Sequence, residues 1–476
     1  MKRLNELFKC DYDTMISGIK TNSKYVTEGD LFVAINGENA DRHDFIDDAI
    51  NNGAVAVVVS KDICRNDIPV IKVRNTNKIL SSLCAKFYDN PEKRLKLIAV
   101  TGTNGKTTTA CILRDMLDYC GYIGTIGAMY KDLKYDLKNT TPDAEEVFKI
   151  LKSFLDNGCK YVVMEVSSEA ILKKRNRTLK YDVVAITNIT SDHLNVHKTQ
   201  KNYEKCKYKL FKKLKRRGKA VLNTDDKRHY KKLKRRIFRS KISYGSDICA
   251  SLRLTNYKIC NDNTIIFVNY KKEIYKINSF LIGKYNIYNI MTAITIMLAL
   301  ECNMDNIVKL TSRISEVAGR SEVLNFGQNY KIVLDYAHTP DALEKILDSL
   351  NEVKKGRIIT VTGSAGGRDH EKRSLMGTVV MEKSDEVIFT MDDPRYECVD
   401  NIIDDLVSIS SLSNYTRITD RKEAIFKAFD MANTNDTVLI AGKGRDNYMA
   451  IEDKYVEYND YNVIKEYFDN KKELGG

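Results

Sequence analysis

The sequence is short of long apolar runs, of paired cysteines and of proline, and the first two shortages exclude whole classes of protein. Its longest apolar stretch, Ile290 to Leu300, holds two threonines and falls well below the ~20 residues a bilayer span needs; it predicts a buried helix. The first nine residues, Met1 to Lys9, carry no apolar core of a signal peptide. Eleven cysteines are scattered without one Cys-x-x-Cys pair, so the expectation is reduced thiols, mostly core filler, in a cytoplasmic protein. No internal repeat or low-complexity linker stands out. The five prolines, against plentiful Lys, Asn, Ile and Tyr, reflect mutational bias as much as physics.

A chain of 476 residues exceeds one ordinary core and predicts two to four domains. With 43% hydrophobic and 30% charged residues it reads as soluble and globular. The charge is unevenly placed. Residues 201–241 hold nineteen Lys or Arg against three acids, a net +16 that exceeds the +13 of the whole chain and leaves the remainder at −3. The plain reading is a solvated helical face. Two others stay open: attraction of an anionic small substrate, and nucleic-acid binding by phosphate neutralisation. Against nucleic acid, the segment's aromatics (Tyr203, Tyr208, Phe211, Tyr230, Phe238) are not interleaved as a stacking surface and fit helix cores equally well.

Along the chain, Asp30 to Ile35, Ala54 to Val59 and Val70 to Val73 are short apolar runs between polar helices, and Asn90-Pro91 is a joint. An apolar strand, Leu97 to Thr101, leads through a glycine loop into a helix expected over Thr107 to Tyr119. Further buried strands are expected at Tyr161 to Val166 and Asp182 to Thr187. Strands without polar alternation, separated by helices, predict a parallel α/β sheet. After about residue 320 the rhythm restarts: strands at Lys331–Asp335, Arg357–Thr362, Glu386–Thr390 and Thr437–Ala441, with helices at Asp341–Val353, Asn401–Ile409 and Arg421–Met431. That predicts a second doubly wound unit, with ligands at the carboxyl ends of its strands.

Gly102-Thr103-Asn104-Gly105-Lys106-Thr107-Thr108 follows a strand and opens a helix, the context a phosphate loop requires. Glycines let backbone N–H groups turn toward an anion, the helix N-terminus adds partial positive charge, and Lys106 reaches the outer phosphates. Thr107 is placed to meet magnesium. The loop is two residues shorter than the usual Gly-x-x-x-x-Gly-Lys-Ser/Thr, and it specifies a nucleotide phosphate, not a reaction. Glu165, ending an apolar strand beside Ser167 and Ser168, is a natural magnesium ligand. Asp192-His193 follows another strand end; His197, close by, reads as structural.

Gly-Thr-Asn-Gly-Lys-Thr-Thr, then Met164-Glu165-Val166-Ser167-Ser168, then Thr187 to Leu194 (Thr-Asn-Ile-Thr-Ser-Asp-His-Leu) resemble, in order and spacing, the central motifs of Mur ligases. Upstream, Asn22-Ser23-Lys24 and Gly29 to Ala34 resemble the family's uridine-binding domain. Downstream, Gly283 to Asn289, Gly319-Arg320-Ser321-Glu322 and Asp335-Tyr336-Ala337-His338-Thr339-Pro340 resemble its ATP-binding hinge. The last hexapeptide, with Gly363 to Arg373, is specific to the MurE branch. The resemblance covers essentially the whole chain. It implies three α/β domains: an N-terminal UDP-binding domain over 1–92, a central P-loop ATPase domain with a parallel sheet over 93–320, and a C-terminal Rossmann-like amino-acid-binding domain over 321–476. It also implies an ATP-dependent ligase acting through an acyl phosphate in peptidoglycan synthesis, with ATP and magnesium as cofactors and a monomer as the working state.

By the same resemblance, Gly102 to Thr108, Asn289, Arg320 and Asp335 would bind ATP. Lys106, Lys207, Glu165 and His193 would be catalytic, and Thr107, Glu165, His193 and Lys207 would hold the metals. Lys207 matches a lysine that the family carbamylates; read alone, it is one more base in a basic helix. Ser23, Asn139, Thr140, Thr141, Ser167 and Arg175 would bind the nucleotide-sugar peptide. Arg368, Asp392, Asp393, Pro394, Arg395, Gly442 and Asp446 would form the amine pocket. Asp392-Asp393-Pro394-Arg395 resembles the family's Asp-Asn-Pro-Arg, whose arginine grips the distal carboxylate of meso-diaminopimelate; lysine, without that carboxylate, would leave Arg395 unpaired.

The chain departs from the pattern in several places. Asp393 replaces asparagine, Gly442-Lys443-Gly444-Arg445-Asp446 replaces Gly-Lys-Gly-His-Glu, Glu169 replaces histidine, Lys173 replaces glutamine, and Asn22-Ser23-Lys24 replaces Asp-Ser-Arg. These leave open a paralogue that adds L-lysine or another amine. Another superfamily ligase, of the folylpolyglutamate or cyanophycin type, fits the N-terminal segment and the Asp-Pro-Arg motif less well. A different class, a nucleotide-dependent nucleic-acid-binding protein using residues 201–241, is the remaining alternative.

Overall fold

The computed structural model describes residues 1–37, 40–175, 177–192, 194–260, 263–367 and 370–475. The chain divides into two compact units that interleave in sequence: residues 1–101, 117–184 and 209–219 form the first, and 102–116, 185–208 and 220–476 the second.

In the first unit, strands Gly18–Lys20, Asp30–Val33, Ala54–Val59 and Val70–Lys72 pair in that order, all parallel. Phe32, Val57 and Val59 pack there with Ile46 and Ala49 of the Ile46–Asn51 helix. Asn90 adopts a left-handed conformation and Pro91 opens a short 3-10 turn, so the joint read from Asn90-Pro91 is a turn between helix Thr76–Phe87 and strand Lys96–Thr101. That strand lies parallel to Tyr161–Glu165, which in turn lies parallel to Cys120–Gly124. Two antiparallel strands, Gly127–Tyr130 and Leu133–Tyr135, extend the edge.

The second unit holds a six-stranded sheet in the order Glu322–Leu324, Lys331–Asp335, Thr437–Ala441, Ile358–Thr362, Glu386–Phe389, Tyr415–Arg417. Its first pair is antiparallel and the others parallel. Alternate residues of one strand enter opposite cores. Val333 packs under helices Pro340–Asn351, Glu371–Lys383 and Val399–Val407, while Ile332 and Leu334 pack under Arg421–Met431 and Asp460–Gly475. Coverage of both faces explains why these strands read as unbroken apolar runs. The predicted restart after residue 320 is this doubly wound sheet, with boundaries shifted by at most two residues. All of the Ile290–Leu300 run but its last residue lies in helix Lys284–Ala299, which is buried along nearly its whole length, and no helix among the described residues is long and apolar enough to cross a membrane.

Two expectations need correcting. The helix after the glycine loop is Lys106–Met116, not Thr107 to Tyr119: Tyr119 takes a left-handed φ of 58° and turns the chain into strand Cys120–Gly124. The basic segment is not one helical face. Helix Gln200–Lys209 is followed by strand Leu214–Asn223, helix Lys227–Arg236 and strand Ser240–Gly245, and Ala220, Val221 and Leu222 form a buried apolar run within the first of these strands. Tyr203, Tyr208 and Phe211 are buried as expected, whereas Phe238 is 94% exposed.

Candidate active site

Strand Lys96–Thr101 delivers the chain into the loop 102–105, and helix Lys106–Met116 leaves it. The two loop glycines are obligatory here. Gly102 has a φ of 152° and a Cβ there would lie 1.9 Å from Thr187 Oγ1; Gly105 has a φ of 82° and its Cβ would lie 2.2 Å from Asn289 Oδ1. Asn188 closes the loop from its far side: its carbonyl accepts from Thr103 N at 2.9 Å and its Oδ1 from Asn104 N at 3.0 Å. Thr187 Oγ1 donates to Asn104 O at 2.6 Å.

Two lysines meet the loop from different helices. Lys106 Nζ donates to the carbonyls of Gly102 (3.1 Å) and Thr103 (2.8 Å). Lys207 Nζ, on helix Gln200–Lys209, donates to the same Gly102 carbonyl at 2.8 Å and sits 4.6 Å from the centre of the Tyr203 ring. Lys207 is 1% exposed. Burial, reinforced by the nearby Lys106 charge, holds its pKa well below the usual lysine range. Tyr203, one helical turn before Lys207, shares a hydrogen bond with Thr103 Oγ1 at 3.1 Å. Tyr203 is a site residue the sequence reading missed; its i, i+4 spacing from Lys207 was the available signal.

A cavity of about 460 Å³ opens beside this loop, lined by Asn104, Gly105, Asn289, Arg320, Asp335, Tyr336 and His338, among others. Arg320 donates to Thr107 Oγ1 at 3.3 Å and stacks 4.4 Å over the Tyr336 ring. Asp335 accepts from Ser321 N (2.6 Å) and Ala337 N (2.7 Å), and burial raises its pKa against the Arg320 charge. His338 Nδ1 lies 2.7 Å from Tyr336 O. Burial and the Lys372 charge lower its pKa to about 4. All the predicted ATP-binding residues therefore gather around one loop and one cavity of the second unit.

Of the residues expected at the amine pocket, Asp392, Asp393 and Asp446 face Lys443, a residue that was given no role. Lys443, 1% exposed, pairs with Asp393 at 2.8 Å and faces Asp446 at 3.9 Å and Asp392 at 4.0 Å. Burial alone would lower the Lys443 pKa, but the three carboxylates outweigh it and raise it. Burial raises Asp392, and pushes Asp446 up to about 6. Gly442, with φ 119°, leaves room for Asp392: a Cβ there would stand 2.5 Å from Asp392 Oδ2. Pro394 O abuts Gly366, and Arg395, at φ 54°, is anchored through its backbone to Ala450 O and Glu452 N.

In the first unit, Glu165 is fully buried and its carboxylate accepts from Tyr122 Oη and from Thr125 N at 3.0 Å. Thr141 Oγ1 donates to Glu165 O at 2.8 Å and accepts from Ser167 N at 3.0 Å, while Thr140 meets Thr125 at 3.2 Å. Arg175 donates to Thr141 O at 3.2 Å and pairs with Asp143 at 3.0 Å. Asn139, half-buried, immediately precedes this cluster. Ser23 and Arg175 line a cavity of about 920 Å³ with Thr21, Asn22, Lys24 and Arg42. His193 and Arg368 lie outside the described residues. Among the described residues no three His, Cys, Asp or Glu side chains gather as a metal-holding group.

The departures from the family pattern have partners. Lys173 and Glu169 pair with each other at 2.9 Å, one helical turn apart. Arg445, in the position of a histidine, donates to Glu322 at 2.9 Å and stacks 3.5 Å over Tyr461. Asp393, in the position of an asparagine, takes Lys443.

The chain matches the Mur ligase family, catalytic domain, over residues 15–88, the Mur ligase middle domain over 100–297, and the Mur ligase, glutamate ligase domain over 319–444. It is 39% identical to UDP-N-acetylmuramoyl-L-alanyl-D-glutamate--2,6-diaminopimelate ligase 2 of Clostridium acetobutylicum, over 97% of each chain. It is 37% identical to the diaminopimelate ligase of Bacillus cereus, over 95% of this chain and 94% of that one. A solved structure of a UDP-N-acetylmuramoyl-L-alanyl-D-glutamate--2,6-diaminopimelate ligase shares the fold, with a TM-score of 0.67 at 24% identity over 99% of both chains.

Proposed function

The chain belongs to the Mur ligase family, and on that premise we propose that it joins a diamino acid to UDP-N-acetylmuramoyl-L-alanyl-D-glutamate in peptidoglycan synthesis. The amine is meso-2,6-diaminopimelate, the bond forms at the D-glutamate γ-carboxylate, and ATP becomes ADP and phosphate. The observation that carries the reading is the Gly102–Thr107 loop with two lysine amines on one of its carbonyls, beside a cavity of nucleotide size.

The chemistry asks the protein to gather anions and to align an amine. The γ-carboxylate takes the terminal phosphoryl group of ATP, the incoming amine attacks the acyl phosphate, and phosphate leaves as the amide forms. The backbone of 102–106 and Lys106 bind the ATP phosphates. Arg320, stacked on Tyr336, lies over the same loop, and Asn289 and Asp335 bind the nucleoside side of the cavity. Ser23, Asn139, Thr140, Thr141, Ser167 and Arg175 hold the nucleotide-sugar peptide. Arg368, Asp392, Asp393, Pro394, Arg395, Gly442 and Asp446 receive the amine, with Arg395 on the distal carboxylate and Asp446 facing the ammonium end.

Magnesium, when bound, supplies charge neutralisation at the phosphate oxygens. By the family resemblance Thr107, Glu165 and His193 would hold it, the first two through the hard oxygens this ion takes. Lys207 would join as a carbamate: burial lowers its pKa, and the neutral amine is the form that adds carbon dioxide. We assign domains at 1–92, 93–320 and 321–476, a cytoplasmic site of action and a monomeric enzyme. The charge of Asp393 favours a second reading, an amine other than diaminopimelate. One assay separates them: ADP release with UDP-N-acetylmuramoyl-L-alanyl-D-glutamate and meso-diaminopimelate, L-lysine, L-ornithine or no amine. Turnover with diaminopimelate alone is expected; turnover with lysine or ornithine would discard the role of Arg395, and silence with all three would discard this ligase reaction.

A further inference from the structure

The second half of the basic segment, residues 227–241, has no part in the reaction above, and its charge is gathered on one side. Residues 227–241 contain nine Lys or Arg and no acid. Helix Lys227–Arg236 turns His229 and Leu233 inward, and Ile237, which ends it, is also buried. Lys227, Lys231, Lys234 and Arg235 recur at i, i+4, i+7 and i+8, so they form one outward stripe, and all four are exposed. Glu204 takes up only the inner edge of this charge, through Arg228 at 2.7 Å and Lys232 at 2.9 Å. Immediately after the helix the chain presents Phe238 at 94% exposure, followed by exposed Arg239 and Lys241.

We propose that this face docks the protein on an anionic lipid bilayer, with the Lys227–Lys231–Lys234–Arg235 stripe on the headgroups and Phe238 entering the interface. Charge complementarity selects an anionic partner, and Phe238 selects among such partners. A nucleic acid held by phosphate contacts would leave a lone phenylalanine in water, because base stacking uses aromatics interleaved with the basic residues. A bilayer satisfies both features at once: lipid phosphates meet the cations, and the ring leaves water at the headgroup level. Attachment of this kind is peripheral and reversible, and needs no membrane-spanning helix.

The full-length protein should sediment with vesicles of phosphatidylcholine and phosphatidylglycerol, not with phosphatidylcholine alone, and salt should release it. Each basic residue near an anionic surface strengthens binding roughly fivefold. The Lys231→Glu, Arg235→Glu double variant should therefore lose about a hundredfold or more, with ADP release on soluble substrates unchanged. The chain has no tryptophan, so Phe238→Trp gives a single reporter at an exposed position where folding is not at stake. Its emission should shift to the blue with anionic vesicles only. Equal or absent sedimentation, or an unshifted emission, overturns the proposal. So does tighter salt-sensitive retention on RNA or DNA than on the vesicles, which would reassign the face to nucleic acid.

Discussion

Lys106 and Lys207 donate to one acceptor, the carbonyl of Gly102, at 3.1 and 2.8 Å. Two ammonium groups at that spacing repel, and burial of Lys207, with the Lys106 charge beside it, holds its pKa well below the usual lysine range. Lys207→Ala should lower ligation by about a hundredfold to a thousandfold, the usual cost of removing one preorganised charge from such a site. Added carbonate should not restore it, since no amine remains to carry a carbamate. ADP release coupled to amide formation measures this, and near-normal turnover would remove Lys207 from the mechanism.

The Asp393–Lys443 pair makes a different prediction. Lys443 is almost wholly buried among three carboxylates. Lys443→Met leaves them facing one another without a cation, and loss of one partner of a buried pair costs about 3–5 kcal/mol. The sign of its pH dependence follows. Without Lys443 the carboxylates bind protons more readily folded than unfolded, so the folded state is favoured at acid pH and weakened as pH rises. The gap in melting temperature between variant and parent should widen from about pH 5 to pH 8, measured by thermal scans; a gap independent of pH would mean the cluster does not act as a charge unit.

What was legible in the sequence was local. The strand–loop–helix of the phosphate site could be read because a glycine loop and a buried strand lie side by side in the chain. Strands Lys331–Asp335 and Thr437–Ala441 were read to the residue, since burial on both faces writes itself as an apolar run, and helix Arg421–Met431 was read to the residue from the helical spacing of Ala424, Ile425, Ala428 and Phe429. The meander Leu252–Ile259, Thr264–Tyr270, Glu273–Ser279 was not read. Thr264, Ile266 and Val268 face inward, but Ile265 and Phe267 between them are apolar too and hide the period of two. The turn at Tyr119 was illegible because a left-handed tyrosine has no sequence mark. The charge pairs at the departures were hidden for another reason: Asp393 and Lys443, or Glu322 and Arg445, are far apart in sequence and adjacent only in the fold.

Arg395 is held by its backbone, not by chance packing: its N donates to Ala450 O at 3.0 Å and its O accepts from Glu452 N at 2.9 Å. These two bonds fix where the side chain leaves the backbone, and its Nε is buried. Arg395→Ala should raise the KM for diaminopimelate by about tenfold to a hundredfold, as loss of a bidentate carboxylate contact does, and leave the KM for ATP unchanged. Steady-state kinetics with each substrate varied in turn decides it. Unaltered diaminopimelate kinetics would place the distal carboxylate elsewhere.

On the proposed reading, Asp446 ties the amine step to pH. Burial raises its carboxyl to about 6, with the Lys443 charge opposing and Asp392 assisting the rise. If its anion faces the ammonium end of the amine, only the ionised form binds, so the KM for diaminopimelate should fall as pH rises through about 6 and level off above 7. The same shift works against folding: the folded pKa lies above the unfolded value, so Asp446 favours the folded state below about pH 4 and disfavours it as pH climbs through 6. Asp446→Asn should therefore flatten the KM profile around pH 6 while slightly stabilising the protein at pH 7. A KM profile that keeps its inflection in Asp446→Asn would assign the titration to another group, with Asp392 the next candidate in contact with Lys443.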